Sequence, residues 1–445
     1  MTKMRCARAL SLLLLCVFTV SSMMMALDRQ AGADYRARRV ALSKSVGNGM
    51  VLLFAGVTEG EELYGFRQDN DFFYLTGWAE PNAAVLILSA QEATKQHPAR
   101  PYTEILFLPA HNRLQEKWTG PKLAGDDAEA PSVTGFDRVA LLDKMPDLVR
   151  EMGGRTMVYT AKAEAPQTTP SVTPLQWLIR SNAFGYAYQK DVTPKIAELR
   201  KHKDAGEIER VKHATDASIA AHKAAMKAMR PGLYEYQIAA LMQYKYQDAG
   251  CERPAYAPIV GSGLNSTVLH YSDNTKKIED GDLVVMDVAG EYAMYASDIT
   301  RTLPANGHFT ARQREIYNIV LGAQQAAAKA VVAGKSTLYG TGPDALQQIA
   351  YDYINTHGKD LHGEPLGQYF IHGLGHRVGL QVHDVGEGVL DKGDVFTLEP
   401  GIYIPEEKLG VRIEDTVMLD ESGKLVNLTA DLPHTAEDVE AAMQK

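Results

Sequence analysis

Short apolar runs alternate with helical patterns in the first third of the chain. Met50 to Ala55, Ala84 to Leu88 and Glu104 to Leu108 are apolar and have the length of strands. Asp34 to Val46 and Asp143 to Met152 have the pattern of helices. This alternation predicts an α/β domain close to the N-terminus.

The pattern changes after Ala205, where longer helices alternate with strands. Four helices are predicted, over Glu207 to Met229, Tyr234 to Ala249, Thr310 to about Val332, and Asp344 to Thr356. The predicted strands are Leu283 to Val288, Tyr295 to Thr302, Val395 to Glu399, and Val411 to Leu419. Thr310 and Gln313 have the spacing of a capping box. Helices interleaved with mostly hairpin-connected strands predict an α+β domain with a curved antiparallel sheet. Ala163 to Pro174, rich in Pro, Thr and Ser, is predicted to be a linker or a domain edge.

Residues 1–27 have the pattern of a secretory signal. Lys3, Arg5 and Arg8 precede an apolar run from Leu10 to Val20. The pattern predicts an exported protein, periplasmic or secreted, from which this segment is removed. An uncleaved membrane anchor is the alternative, because the apolar stretch up to residue 27 is long enough to cross a bilayer.

Composition narrows the function classes. The chain has 445 residues, 45% apolar content and a formal net charge of -9, and no block of Lys and Arg supports binding to nucleic acid. Cys6 and Cys16 lie in the predicted signal, so a cleaved chain keeps only Cys251 and can form no intramolecular disulfide.

Five possible metal ligands follow one another in the last third of the chain. They are Asp287, Asp298, His376, Glu399 and Glu414. Four carboxylates and one imidazole suit two divalent cations that share a water molecule. Such a pair generates a hydroxide at neutral pH and polarises a carbonyl group, which is the chemistry of amide-bond hydrolysis.

The spacing of the four acids suggests two hairpins. Asp287 and Asp298 are symmetric about the bond between residues 292 and 293, and Glu399 and Glu414 are symmetric about the polar turn PEEKLG. Directly opposed residues of an antiparallel pair point to the same face. We therefore expect four carboxylates on one sheet face, where two dications would neutralise them.

Four histidines are candidates for the same site. His372, His376 and His383 lie in HGLGHRVGLQVHD, whose glycines predict an extended segment rather than a zinc-binding helix. We assign His376 to metal and His383 to the substrate or the tetrahedral intermediate. His372 has either a binding or a supporting role. His270, in NSTVLHYSDN, is a fourth candidate, although a histidine in such a turn is more often structural.

Arg412 lies two residues before Glu414 and therefore shares its strand face. It could orient a metal-bound carboxylate. A surface salt bridge is the alternative.

The motifs VLHYSDN, MDVAGEYAMYASDITRT, HGLGHRVGLQVHDVG, TLEPGIY and GVRIED carry a family resemblance. In order and spacing, over residues 196–428, the chain resembles the pita-bread metallopeptidases, which include methionine aminopeptidase, prolidase, creatinase and aminopeptidase P. RQDNDFFYLTGWAEPNAAVLIL and EKWTGPKLAG are similar to the creatinase-like domain that precedes the catalytic domain in the Xaa-Pro aminopeptidases. The resemblance implies a creatinase-like domain over residues 30–175 and a pita-bread catalytic domain over residues 195–440.

The resemblance also implies roles for individual residues. The five acids and histidine named above would hold two metal ions, usually manganese, with Asp298 and Glu414 bridging them. Glu399 would also hold the nucleophilic water and take its proton. His270 and His383 would contact the scissile carbonyl or the leaving side of the substrate, and Tyr403 and Arg412 would support the site. We also count His372 and Tyr403 as candidates for substrate binding.

The implied reaction is removal of the N-terminal residue from peptides with proline second, through a metal-bridging hydroxide. The first alternative is prolidase activity on Xaa-Pro dipeptides. The second is a non-catalytic peptide-binding module on the same fold. Relatives often form dimers or tetramers, so a homo-oligomer is expected.

Overall fold

A six-stranded mixed sheet organises the N-terminal region, which we define as the described residues before Thr193. The computed structural model describes residues 29–57, 64–95, 98–153, 156–161 and 189–444. The strands of this sheet are β1 (Met50–Phe54), β2 (Ala84–Leu88), β3 (Thr103–Leu108), β4 (Arg138–Leu141), β5 (Val158–Thr160) and β6 (Gln189–Asp191). They lie in the order β4-β3-β2-β1-β5-β6, and β1 and β3 pair antiparallel with β2. The other three pairs are parallel.

Helices cover both faces of this sheet. They are α1 (Gly32–Ser45), α2 (Asn70–Thr76), α3 (Glu116–Thr119), α4 (Ala130–Thr134) and α5 (Met145–Gly153). Successive side chains of a strand point to opposite faces, and along β1 Val51 packs into one core with Leu42 of α1, whereas Met50 packs into a second core with Val149 of α5. The α/β arrangement expected from the sequence is therefore present.

The C-terminal region, from Thr193 onward, combines long helices with short antiparallel ladders. Its helices are α6 (Thr193–Lys201), α7 (Ala205–Ala228), α8 (Glu235–Asp248), α9 (Ala311–Ala330), α10 (Leu346–His357) and α11 (Ala436–Met443). Its strands are β7 (Arg253–Pro254), β8 (Ile259–Ser262), β9 (Leu283–Asp287), β10 (Gly290–Tyr292), β11 (Tyr295–Ala296), β12 (Thr300–Pro304), β13 (Val395–Leu398), β14 (Gly401–Ile404), β15 (Leu409–Arg412), β16 (Asp415–Leu419) and β17 (Leu425–Asn427). This region confirms the α+β prediction.

Four ladders make up the antiparallel layer. Their strand orders are β11-β10-β7, β12-β9-β8, β13-β16-β17 and β14-β15. A bridge between Thr300 and Glu414 joins the β9–β12 hairpin to the β13–β16 segment. One large core packs α7, α8 and α9 against these strands, with Met226, Met242 and Val320 all fully buried.

The predicted helices are present with shifted ends, and two of the predicted strands are each divided in two, into β11 and β12 and into β15 and β16. Five helices of the described residues were missed. The predicted capping box at Thr310 and Gln313 is formed, and α7 begins with another at Asp204 and Glu207. The missed helices are α2, α3, α4, α6 and α11. The predicted signal segment and the predicted linker over 163–174 lie outside the described residues. Within the described ranges, no helix has the length and apolar character needed to span a bilayer.

The register of one predicted hairpin was wrong by two residues. Asp287 pairs with Thr300 rather than with Asp298, because the turn is formed by Ala293 and Met294, with φ of 49° and 74°, one residue later than predicted. The two aspartates are therefore diagonal neighbours. They still share a face, because a shift of two residues preserves the alternation of a strand.

The register of the second predicted hairpin is confirmed. Leu398 pairs with Asp415 and Gly401 pairs with Arg412, so the same register places Glu399 opposite Glu414 between these two pairs.

Candidate metal centre

The four acids lie where the antiparallel ladders are interrupted. Asp287 ends β9, Asp298 lies between β11 and β12, Glu399 lies between β13 and β14, and Glu414 lies between β15 and β16. The Glu414 amide donates to the Thr300 carbonyl at 3.1 Å. This bond fixes the two hairpins side by side.

All five predicted metal ligands come together. Three overlapping groups have ligand atoms that lie within 4.8 Å of one another: Asp298, His376 and His383; His376, Glu399 and Glu414; and Asp287, Asp298 and Glu414. His383 was predicted to contact the substrate, and its ring lies near the metal ligands as well. Its centroid lies 3.9 Å from that of His376.

The donor set fits divalent cations. Asp287 and Asp298 are 8% and 5% exposed, and the Oδ1 atom of each is buried without a hydrogen-bond partner among the described residues. Buried carboxylate oxygens without a donor are costly unless a cation compensates them. Carboxylate oxygens together with one imidazole nitrogen are a common ligand set for such ions.

The carboxyl pKa values show the same need for positive charge. Burial, followed by the charge of Asp287, raises the pKa of Asp298. Burial raises the pKa of Glu399 to about 7. The pKa of Glu414 is raised well above its ordinary value by burial and then by the charge of Asp298. The protein atoms alone therefore do not favour four ionised carboxylates, and cations would.

His376 is oriented by its backbone. Its Nδ1 lies 3.1 Å from the carbonyl oxygen of Arg377. A carbonyl can only accept, so Nδ1 carries the hydrogen, and Nε2, which lies 3.3 Å from Asp298 Oδ2, faces the acids. Burial alone would lower the pKa of His376, but the hydrogen bond and charge of Asp298 outweigh it and raise this pKa to about 9.

The histidine motif is extended, as predicted. The amides of Thr397 and Glu399 donate to the carbonyls of His376 and Leu374, both at 2.8 Å, so the segment pairs with β13. A Cβ atom at Gly375 would clash with the Thr397 carbonyl oxygen. Glycine is therefore required for this close approach.

Arg412 is buried at the centre of the site, so the surface salt-bridge alternative was wrong. It is 3% exposed, and it donates to Asp287 Oδ2 at 2.6 Å, Tyr403 Oη at 2.9 Å and Thr300 Oγ1 at 3.1 Å. The Thr300 hydroxyl in turn donates to Glu414 Oε2 at 2.8 Å. One guanidinium thus orients two of the acids, one directly and one through a hydroxyl.

The contacts of His372 indicate a supporting position. Its Nδ1 lies 2.8 Å from the Gly373 carbonyl and its Nε2 lies 2.8 Å from Tyr403 Oη. Burial, followed by the charge of Arg412, lowers its pKa to about 4. A neutral His372 with its hydrogen on Nδ1 accepts the Tyr403 hydroxyl, which accepts from Arg412. Because His372 also lines the cavity, its contact with substrate stays a prediction.

A cavity of about 470 Å³ opens onto these groups. His270 and His383 are exposed and line it. Burial, followed by the charge of His376, lowers the pKa of His383 to about 4, so this imidazole is neutral at ordinary pH. An apolar part of the wall is formed by Ala257, Ile259, Leu269 and Val382.

Sequence reasoning missed three residues of the site. Thr300 follows Asp298 by two positions, so strand alternation could have placed it on the same face. The other two are Tyr256 and Tyr339, which line the cavity, whereas Thr300 is buried behind it. Burial, followed by the charges of Asp287 and Asp298, raises the pKa of Tyr256 well above its ordinary value. No local pattern distinguishes these two tyrosines from other tyrosines of the chain.

Comparisons with known proteins agree with this geometry. Residues 209–421 match the model of metallopeptidase family M24, and residues 35–159 match that of the aminopeptidase P N-terminal domain. The chain belongs to metallopeptidase family M24.

Individual relatives extend the similarity to nearly the whole chain. Xaa-Pro aminopeptidase from Escherichia coli is 34% identical over 442 residues, covering 92% of this chain and 97% of the relative. A structure of a variant of E. coli aminopeptidase P in complex with substrate has a TM-score of 0.79 at 31% identity, covering 94% of this chain and 99% of the other. Xaa-Pro dipeptidase from Pyrococcus furiosus is 41% identical over 241 residues, which is 53% of this chain and 65% of the relative. The expected pita-bread fold and the family resemblance are confirmed.

Proposed function

We propose that this chain is a metal-dependent exopeptidase that removes the N-terminal residue from peptides with proline in the second position. The observation that carries the proposal is the complete set of five ligand side chains, gathered on one cavity wall and including buried carboxylate oxygens without donors. The similarity to the E. coli Xaa-Pro aminopeptidase over nearly the full length of both chains supports the same activity.

Two divalent metal ions would be held by Asp287, Asp298, His376, Glu399 and Glu414. When bound, such a pair activates a water molecule and polarises the scissile carbonyl. We propose Mn²⁺ as the native ion, because oxygen-rich sites with one imidazole suit it.

The chain's own residues then position and transfer protons. Glu399 holds the attacking water and takes its proton, a role that suits a carboxylate on the cavity wall beside His376. His270 and His383 lie on the cavity wall, where they donate to the substrate carbonyl or to the leaving nitrogen. Arg412 orients the carboxylate of Asp287 directly and that of Glu414 through Thr300. Tyr403 bonds Arg412 and His372 and supports these two side chains from behind the cavity wall.

The preference for proline has a physical basis. A proline nitrogen carries no hydrogen, and its ring fixes the backbone, so a site that grips an N–H at this position fails on such a bond. The apolar wall formed by Ile259, Leu269 and Val382 offers a surface for the ring. The leaving proline nitrogen must be protonated, and the proton that Glu399 takes from the attacking water can be transferred to it.

A dipeptidase acting on Xaa-Pro is the second candidate, favoured by the 41% identity to the P. furiosus Xaa-Pro dipeptidase. The test compares an Xaa-Pro-Xaa tripeptide with the matching Xaa-Pro dipeptide. Release of the first residue from the tripeptide supports aminopeptidase activity, whereas cleavage of the dipeptide alone supports the dipeptidase. Cleavage of neither, with retained binding of a peptide, supports a non-catalytic module.

We also propose that residues 1–27 direct export and that the chain forms homodimers or homotetramers. The charged and apolar pattern of the segment supports export, and fractionation with N-terminal sequencing of the mature protein tests it. Light scattering on the purified protein tests the oligomer. A full-length chain in the cytoplasmic fraction, or a monomer, would contradict the respective proposal.

A further inference from the structure

The loop that carries His383 is held by side chains far from it in sequence. We define the His383 loop as residues 379–386. The side chain of Asp384, next to His383, is 1% exposed. Its Oδ1 accepts from Arg200 Nη2 at 2.5 Å, and its Oδ2 lies 2.9 Å from Lys203 Nζ. Asp384 is therefore fixed from two sides by buried positive charges.

Arg200 connects this loop to the N-terminal region. It lies in α6, is 3% exposed, and donates through Nη1 to Asp71 Oδ1 at 2.6 Å. Its Nη2 also lies 3.3 Å from Gln381 Oε1. A guanidinium can bind two carboxylates along fixed directions, which a lysine cannot do. The planar guanidinium of Arg200 therefore holds Asp384 at a fixed position relative to Asp71 and helix α2.

A second contact from the N-terminal region reaches the same loop. Arg67, just before α2, donates to the Leu380 carbonyl at 2.6 Å and to Glu291 Oε2 at 2.8 Å. The Gly379 carbonyl accepts from the Ala296 amide at 2.8 Å. The first two residues of the His383 loop are thus tied to neighbouring elements.

His383 itself has an exposed side chain in the cavity, so its position depends on the backbone that carries it. A misplacement of reacting groups by about 1 Å can reduce a rate by about a hundredfold. The four charges of Asp71, Arg200, Lys203 and Asp384 balance one another. Buried ion pairs often add little net stability, and in some proteins they specify a geometry instead.

We propose that the N-terminal region sets the position of His383 through the ion-pair chain Asp71–Arg200–Asp384. Asp71 and Arg200 are then positioning residues for the reaction, although neither lines the cavity. The inference rests on the proposed function, in which His383 contacts the reacting groups of the substrate.

The test is a double-mutant cycle on the metal-loaded enzyme with an Xaa-Pro-Xaa tripeptide. Asp71→Asn removes the charge and keeps the shape of the side chain. We expect kcat/KM to fall by about ten- to a hundredfold, with bound metal unchanged. In a His383→Ala background the same change should have little further effect, because the group it positions is absent. Amide exchange should accelerate in the His383 loop.

Asp69→Ala is the matched control. Asp69 caps the same helix by accepting from the Phe72 amide at 2.8 Å, so its loss weakens α2 without touching Arg200. We expect its kcat/KM to stay close to wild type. Arg200→Lys is the second variant if Asp71→Asn does not fold, and it should show the same dependence on His383.

Three results separate the possible failures. Wild-type kcat/KM in Asp71→Asn, or an effect that adds fully to that of His383→Ala, overturns the positioning role. Wild-type turnover in His383→Ala overturns the proposed role of His383 and the inference with it. If the wild-type enzyme cleaves no peptide, the proposed function fails, and unchanged exchange in the His383 loop of Asp71→Asn then overturns the ion-pair chain on its own.

Discussion

The hydroxyl of Thr300 connects two of the proposed metal ligands, and its removal should weaken metal binding. Thr300 is fully buried. It donates to Glu414 Oε2 at 2.8 Å and accepts from Arg412 Nε at 3.1 Å, and Arg412 also donates to Asp287. Thr300→Val keeps the shape of the side chain and removes both hydrogen bonds.

The size of the expected loss of metal affinity follows from the negative charge of Glu414. A hydrogen bond to a charged group contributes about 1.5–3 kcal/mol, and about 1.4 kcal/mol corresponds to a factor of ten in affinity. The bond to Glu414 stabilises the ionised carboxylate that a cation requires. We therefore expect the Kd for Mn²⁺ to rise by about ten- to a hundredfold, with turnover largely restored at saturating metal because every ligand remains.

Thr302→Val is the matched control. Thr302 is also fully buried on β12, and its hydroxyl donates to the Arg412 carbonyl at 2.9 Å and accepts from the Arg412 amide at 3.1 Å. The Thr302→Val variant also loses two hydrogen bonds, but both of these are to backbone groups of Arg412. These neutral bonds contribute about 0.5–1.5 kcal/mol each to stability, so thermal unfolding should shift while the Kd for Mn²⁺ stays close to wild type.

The assay is calorimetric titration of Mn²⁺ into each metal-stripped protein, with thermal unfolding measured in parallel. Wild-type affinity in Thr300→Val would refute the proposed orientation of Glu414. An equal loss of affinity in both variants would show that general destabilisation, and not the Glu414 contact, controls metal binding.

Three further changes test other parts of the structure. Glu414→Gln should lower turnover by more than about a hundredfold with the fold retained, and wild-type turnover would remove Glu414 from the metal centre. Burial, then the charge of Arg301, lowers the pKa of His222 to about 4. Only the unfolded chain therefore binds this proton between pH 6.5 and 4, and stability falls as pH falls through that window by on the order of 3 kcal/mol. His222→Gln should flatten this part of the curve of unfolding free energy against pH, and an unchanged curve would contradict it. Gly375→Ala should displace His376 by its clash with Thr397 and so weaken Mn²⁺ binding by about tenfold or more, whereas unchanged calorimetric affinity would show that the strand can move aside.

The sequence predicted the grouping of the acids better than their register. The register predicted for the hairpin that carries Glu399 and Glu414 was correct, because the polar turn PEEKLG marks its midpoint. The register predicted for the hairpin that carries Asp287 and Asp298 was wrong by two residues. Its turn is formed by Ala293 and Met294, which take positive φ, and no glycine or asparagine signals a turn at these positions. Glu252 stabilises this turn by accepting from the Ala293 amide at 2.9 Å, and so distant a partner cannot be inferred from local pattern.

The contacts between the N-terminal and C-terminal regions could not be predicted from the sequence either. Helix α6 was missed, although Thr193 and Pro194 form an ordinary helix start. The partner of Arg200 could not have been predicted, because a charge on a short helix gives no indication of which buried carboxylate it meets. Arg412 was placed on the correct face from alternation alone, and only the structure showed its burial and its shared contacts.

The most direct measurement titrates Mn²⁺ into the metal-stripped mature protein while bound metal and the cleavage of an Xaa-Pro-Xaa tripeptide are followed together. We predict no release of the first residue without metal, and release that rises as about two ions bind per chain. Full turnover by the stripped protein, or binding of both ions without any cleavage, would contradict a metal-dependent aminopeptidase.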